Sequence, residues 1–355
     1  MQELPTKETN VVLADDLAAD LTVLLESYKD EKIFVLTDEN TYKLCFPLIE
    51  KVPGVDGRRV VVIGVGDGHK DTKTLIKVWE FLVEKGADRH SVLVNLGGGM
   101  PCDLGGFAAA TFKRGIPFVN IPTTLLAQVD ASVGGKTGIN FKGYKNEIGS
   151  FKQAETVLLD TTLLQSLDRE NLLSGFAEMI KHAFLKGPEM LERTLAFDIL
   201  NPDMKELGLL VADSVLIKDY YVTADPLEKN IRKALNLGHT VGHAFESFSL
   251  KRNKPVLHGY AVAFGMVPEL YLAHIKLGFD MELVKKYSRY VKEVYGLFDY
   301  SVMDYDRLYE TMTHDKKNQS GRINFTLLKS PGEVAINIHC DQKEIEEALA
   351  FFQKG

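Results

Sequence analysis

The chain has 355 residues, 45% of them hydrophobic, enough for a sizeable core and two domains. A formal net charge of −7 leaves no basic footprint for nucleic acid, and the longest apolar candidate for a membrane span, residues 261–275, contains Pro268 and Glu269. Three scattered cysteines (Cys45, Cys102, Cys340) make no disulfide framework, and the polar first ten residues lack a secretory core, so a cytoplasmic setting is expected.

Along the chain, short apolar runs alternate with helical patterns. "KIFVLT" (32–37), "RRVVVIGVG" (58–66), "SVLVNLGGG" (91–99) and "PFVNIPTT" (117–124) read as buried strands, with a helix over 72–86. Such alternation predicts parallel strands joined by crossover helices. "ETVLLD" (155–160) reads as one more strand. From about Asp168 the pattern turns to long amphipathic helices, over 169–187, 207–225 and 231–248, and "RINFTLL" with "EVAINI" reads as a late hairpin. The expected architecture is an α/β N-terminal Rossmann-like domain with a parallel sheet over 1–165. A mostly α-helical C-terminal domain follows over 166–355.

Three motifs carry chemistry. "NLGGGMPCDLGGFAAA" follows a strand and opens a helix, so its glycines let backbone amides approach a phosphate at a helix N-terminus. It departs from GxGxxG, because Cys102 takes the last glycine place. "SVGGKTG" imitates a P-loop, yet Asp130 stands where the first glycine belongs, which removes the triphosphatase reading. Lys136, Lys145 and Asn146 remain in a glycine-rich loop, with Asp130 upstream, that suits an anionic substrate. In "HTVGH", His239 and His243 lie four apart, so a helix aims both rings the same way. Thr240 replaces the glutamate of a zinc protease, but imidazoles at this spacing still suit Zn²⁺, with Glu178 and His258 as candidates for a further ligand. Lys218, Arg232, Asn236, Lys316 and Lys317 add cationic and amide groups that suit an anion pocket.

Taken together, "GGGMPCDLGGFAA", "FKRG", "PTTLLAQVDASVGGKTGIN", "KNEIGSF", "SGFAEMIKH", "RKALNLGHTVGHAFE", "LHGYAVA" and "DKKN" resemble the 3-dehydroquinate synthase family of sugar phosphate cyclases. The resemblance implies a dehydroquinate synthase-like fold, NAD and a divalent metal (Zn²⁺ or Co²⁺) as cofactors, and a homodimer. The metal ligands it implies are Glu178, His239 and His258, with His243 turned toward substrate. Its NAD contacts fall on Asp38, Asn40, Lys73, Gly98, Gly99, Asp103, Thr123, Thr124, Asp130 and Lys145. Its substrate positions fall on Asp130, Lys136, Asn146, Lys181, Lys218, Arg232, Asn236 and one of Lys316 and Lys317, and Arg114 resembles an arginine that reaches the neighbouring subunit's site.

The implied reaction takes a small sugar phosphate, 3-deoxy-D-arabino-heptulosonate 7-phosphate, to 3-dehydroquinate and phosphate. It runs through transient oxidation, phosphate elimination, re-reduction and an intramolecular aldol closure. A polyol dehydrogenase is the competing enzyme class, and the many cations argue against its uncharged substrate. One departure stands out. The family's "GExxK" has Lys70 in place of the glutamate here, so the acidic cofactor contact is either lost or supplied by Asp71.

Overall fold

In the computed structural model, which describes residues 1–313 and 323–354, the apolar runs become strands. They are β1 (Gln2–Glu3), β2 (Asn10–Leu13), β3 (Ile33–Asp38), β4 (Val60–Ile63), β5 (Val92–Gly97), β6 (Phe118–Pro122), β7 (Lys136–Phe141), β8 (Tyr144–Phe151) and β9 (Thr156–Leu159). Seven of them share one sheet in the order β1-β2-β9-β6-β5-β3-β4, parallel except for β1 against β2. Helices α1 (Leu17–Leu25), α2 (Glu39–Leu44), α3 (Thr72–Glu84) and α4 (Gly99–Thr111) connect the strands.

Both faces of this sheet are covered, which is why its strands read as unbroken apolar runs. Ile33, Val35, Val92, Val94, Val119 and Ile121 pack with Leu17 and Leu21 of α1. The alternate residues Phe34, Leu36 and Leu93 are equally buried, and Phe34 meets Phe81 of α3 edge-on. Strand order reverses between β3 and β5, since β4 lies on one side of β3 and β5 with β6 on the other. In open α/β sheets such a reversal leaves a ligand crevice at the carboxyl ends of the strands.

Helices dominate the rest: α5 (Arg169–Lys186), α6 (Pro188–Ala196), α7 (Met204–Ala224), α8 (His239–Lys251), α9 (His258–Leu277), α10 (Met281–Val294), α11 (Tyr305–Thr313) and α12 (Gln342–Lys354). The antiparallel hairpin of β10 (Asn324–Ser330) and β11 (Glu333–His339) lies among them. The chain forms two compact units, Met1–Asp168 with Pro202–Asp219, and Arg169–Asn201 with Tyr220–Gly355. Among the described residues no helix is long and apolar enough to cross a membrane.

Two expectations are corrected. Lys136, Lys145 and Asn146 sit not in a loop but on an antiparallel hairpin, β7 against β8. Its strand β8 is exposed nearly throughout, so no apolar alternation marked it as a strand. The helix expected over 231–248 is broken: a 3₁₀ turn covers Ile231–Asn236, and α8 starts only at His239. Gly238 makes the break with a left-handed φ of +79°, where a Cβ would lie 2.4 Å from Met266 Cγ.

Candidate active site

In the first unit, the glycine turn lies at the strand-order reversal. Gly98 caps α4 and Gly99 begins it, directly after β5. The unpaired amides and positive end of this 13-residue helix point where a pyrophosphate would be neutralised. Cys102, which displaces the usual third glycine, is buried and its thiol donates to Gly97 O at 3.7 Å, so it packs beneath the turn. Asp38 ends β3 and caps α2, its Oδ1 accepting from Asn40 N and Thr41 N at 2.9 Å each. Thr123 and Thr124 follow β6: Thr123 N donates to Gly97 O (3.0 Å), and Thr124 Oγ1 accepts from Ala127 N (3.2 Å). Lys73 is exposed in the first turn of α3.

Asp130 lies in a π-helical turn, Ala127–Ala131, and its Oδ1 accepts from Lys218 Nζ at 2.6 Å. Lys136 opens β7, exposed, while Lys145 stands 3.8 Å from Asp67 Oδ2. Asn146 is held at a left-handed φ of +51° with its N–H on Asn140 Oδ1 (2.9 Å). Asp103, near the glycine turn, is pushed up by burial, against which the Lys70 ammonium works. Arg114 is exposed in the turn after α4, where Lys113 and Arg114 both adopt positive φ (52° and 71°). Two adjacent non-glycine residues there store backbone strain of about 1–3 kcal/mol each, a feature that clusters at functional sites.

The second unit gathers three ligand-type groups. Glu178, His239 and His258 each offer one ligand atom, and these lie within 4.8 Å of one another. His239 Nε2 and His258 Nε2 are both 3.5 Å from Glu178 Oε1. Glu178 is fully buried on α5, and neither oxygen accepts a hydrogen bond of good geometry, although Lys181 pairs with it one turn on. A buried carboxylate left short of hydrogen bonds, facing two imidazoles, fits a divalent cation.

Close helix packing makes this cluster. His239 and His258 are the first residues of α8 and α9. Gly259 lets α9 touch α5, since a Cβ there would lie 1.8 Å from Ser174 O. Glu269, buried on α9, accepts from Gly238 N (2.6 Å) and Val241 N (3.0 Å) and so fixes the start of α8. Supporting bonds orient the rings. His239 Nδ1–H donates to Leu237 O (3.0 Å) and His258 Nδ1–H to Glu246 Oε2 (3.4 Å), which leaves both Nε2 lone pairs facing Glu178.

Electrostatics agree with a cation site. Burial opposes ionising Glu178, but Lys181 and His258 more than offset it and hold the carboxyl well below its usual range. Burial likewise opposes charging His258, yet Glu178 and Glu246 push it up to about 10. Carboxylates that favour a proton there favour a metal cation for the same reason. The His243 ring stands beside the cluster, its centroid 5.3 Å from that of His239 and 6.0 Å from that of His258.

Lys181 is buried next to Glu178. Buried Arg232 donates to Pro226 O (2.8 Å), and Asn236 Nδ2 donates to Glu228 Oε1 (3.0 Å). Lys316 and Lys317 lie outside the described residues. Sequence reasoning missed Glu246 and Glu269 as supports. Glu246 carried a weak signal, seven residues after His239 and so on the same helical face, whereas Glu269 carried none.

The comparisons agree with this geometry. Family models described as 3-dehydroquinate synthase N-terminal and C-terminal match residues 60–174 and 175–318. A 3-dehydroquinate synthase of Parabacteroides distasonis is 50% identical over 348 residues, covering 98% of this chain and 99% of that one. Among solved structures, a 2-deoxy-scyllo-inosose synthase complexed with carbaglucose-6-phosphate, NAD⁺ and Co²⁺ has a TM-score of 0.82 at 20% identity, with 98% of each chain covered. A 2-epi-5-epi-valiolone synthase from Streptomyces hygroscopicus with NAD⁺ and Zn²⁺ has a TM-score of 0.79 at 23% identity, covering 100% of this chain and 99% of that one. These two establish a shared fold. The near-full-length identity goes further: this chain belongs to the 3-dehydroquinate synthase family.

Proposed function

We propose that the protein is a 3-dehydroquinate synthase, a carbon–oxygen lyase that converts 3-deoxy-D-arabino-heptulosonate 7-phosphate into 3-dehydroquinate and phosphate in aromatic amino acid biosynthesis. The match along almost the whole chain to the Parabacteroides synthase carries this reading, because the glycine turn and the Glu178–His239–His258 cluster both fall inside it. A cytoplasmic homodimer is part of the proposal.

NAD at the glycine turn would supply a hydride acceptor and donor, and Zn²⁺ or Co²⁺ held by Glu178, His239 and His258 would supply Lewis acidity toward a substrate oxygen. The chain's own groups do the rest. Within the first unit, Asp38, Asn40, Lys73, Gly98, Gly99, Asp103, Thr123, Thr124 and Lys145 orient the dinucleotide. Lys136, Asn146 and the Asp130–Lys218 pair are assigned to substrate anions. Within the second, Lys181, Arg232 and Asn236 are assigned likewise, and His243 is a proton carrier beside the metal ligands.

The test separates cyclase from dehydrogenase. With the heptulosonate phosphate and substoichiometric NAD⁺, phosphate release is expected to pass many turnovers while absorbance at the NADH band stays flat. Stoichiometric NADH accumulation, with that substrate or with glycerol, would select a polyol dehydrogenase instead.

Arg114 supplies a second prediction. If it grips the phosphate of a neighbouring subunit's substrate, Arg114→Ala is expected to lower kcat/KM by about tenfold or more, the loss of a charge-assisted bond. A side chain that only favours the helix end would cost about 0.3–1 kcal/mol of stability and leave the kinetics alone. Mixing Arg114→Ala with His239→Ala is expected to restore part of the activity, since one mixed site combines an intact metal set with an intact arginine. A light-scattering mass of one chain, or no recovery after verified exchange, would remove the shared site.

A further inference from the structure

Lys70 stands where the family's acidic residue would be, and Asp71 does not replace that acid: its Oδ1 accepts from Thr74 N (2.9 Å) as the cap of α3. Lys70 is 4% exposed. Its Nζ lies 2.5 Å from Asp103 Oδ2, just beyond the glycine turn, and 2.5 Å from Asn146 Oδ1 on β8. The same segment is stitched to the hairpin by its backbone. Lys70 O accepts from Asn140 N (2.7 Å), and Asn140 Nδ2 donates to Asp67 O and Oδ2 (3.1 Å each). Asn140 Oδ1 in turn accepts from Asn146 N (2.9 Å).

We propose that Lys70 is a positioning residue of the dinucleotide site, joining Asp103 to Asn146 so that the glycine turn and the β7–β8 hairpin order together. This rests on the reading that NAD binds at the glycine turn. The physical reason lies in the cost of burial. A buried ammonium is tolerated only when paired, and two of its three donors go to two different elements. Asp103 keeps one orientation while the ammonium is there; without it, the carboxyl faces burial with no counter-charge. A bidentate or acidic residue would not make this link, because a carboxylate at position 70 repels Asp103 and a guanidinium is broader than the space a single Nζ fills. The consequence is coupling: cofactor bound against Asp103 rigidifies the hairpin that carries Lys136, Lys145 and Asn146, and docking of the hairpin in turn readies the cofactor site.

NADH fluorescence titration and amide hydrogen exchange test this, at temperatures where circular dichroism shows each protein folded. Wild-type protein is expected to bind NADH, with slower exchange at Asn140 and Asn146 once it is bound. Lys70→Met is expected to raise the NADH Kd about tenfold or more and to speed hairpin exchange with or without NADH. Lys70→Glu is expected to bind more weakly still. Asn146→Gly, which suits the left-handed backbone and keeps the Lys70–Asp103 pair, is expected to stay folded but to lose the protection that NADH confers on the hairpin. If Lys70→Met or Lys70→Glu binds NADH as tightly as wild type, or NADH leaves wild-type hairpin exchange unchanged, the positioning role is wrong while the cofactor assignment stands. Wild-type protein that binds no NADH would overturn both.

Discussion

Replacing Glu178 with Gln is expected to strip the protein of metal and to lower kcat/KM by about 10³-fold or more, roughly 4 kcal/mol of lost transition-state stabilisation. The side chain keeps its size but loses the charge that two imidazoles and Lys181 surround. His239→Ala and His258→Ala are expected to match it in metal content, measured by mass spectrometry of the dialysed protein. His243→Ala is expected to keep the metal and lose turnover, since its ring lies beside the ligands without being one of the three. Chelation should abolish wild-type activity, with Zn²⁺ or Co²⁺ restoring it. Full metal in His258→Ala combined with loss in His243→Ala would sink the assignment of ligands.

A single methyl group is expected to do nearly as much. In Gly259→Ala the new Cβ would meet Ser174 O at 1.8 Å, Ser174 C at 2.5 Å and Ser174 Cα at 2.6 Å. All three are backbone atoms of α5, so no side chain can swing away, and α9 must back off from α5. Overpacking of this kind costs about 1–3 kcal/mol, occasionally more. The shift also carries His258, the next residue, away from Glu178. Metal affinity is therefore expected to fall by about 10–100-fold, as when a supporting partner of a metal ligand is lost. Thermal melts with and without Zn²⁺ report both terms, because ligand that binds only the folded state raises Tm by mass action. Gly57→Ala, with no atom within 4 Å of its Cβ and no positive φ, is the control and is expected to be neutral. Unchanged metal affinity in Gly259→Ala would mean that the α5–α9 contact does not set the site.

Much of this molecule is written in short-range pattern. Buried parallel strands announce themselves as apolar runs, and the turn from β5 into α4 announces itself as three glycines after such a run. Both signals are local, so β3, β5, β6 and β9 fall where the runs predict them. The hairpin of β7 and β8 escaped because an exposed strand has no core face to impose alternation. The break before His239 escaped because helix formers flank Gly238, and only its contact with Met266 and the cap from Glu269 make the left-handed turn the better choice.

The residue types of the site were equally legible: two histidines four apart, a glutamate inside an apolar helix, lysines in an acidic chain. From these residues alone, the sequence determined that a metal-type cluster and an anion-type surface were present. Which groups converge was decided by tertiary structure. Glu178 and His258 are 80 positions apart, and their 3.5 Å separation exists because Gly259 allows two backbones to touch. Lys70 shows the same limit from the other side. As a letter it is only a departure from a motif, and as a buried ammonium shared by Asp103 and Asn146 it becomes a joint between two elements. Periodicity and turn chemistry act over a few residues and can be read along the chain, whereas proximity between distant groups depends on how closely whole helices and strands pack.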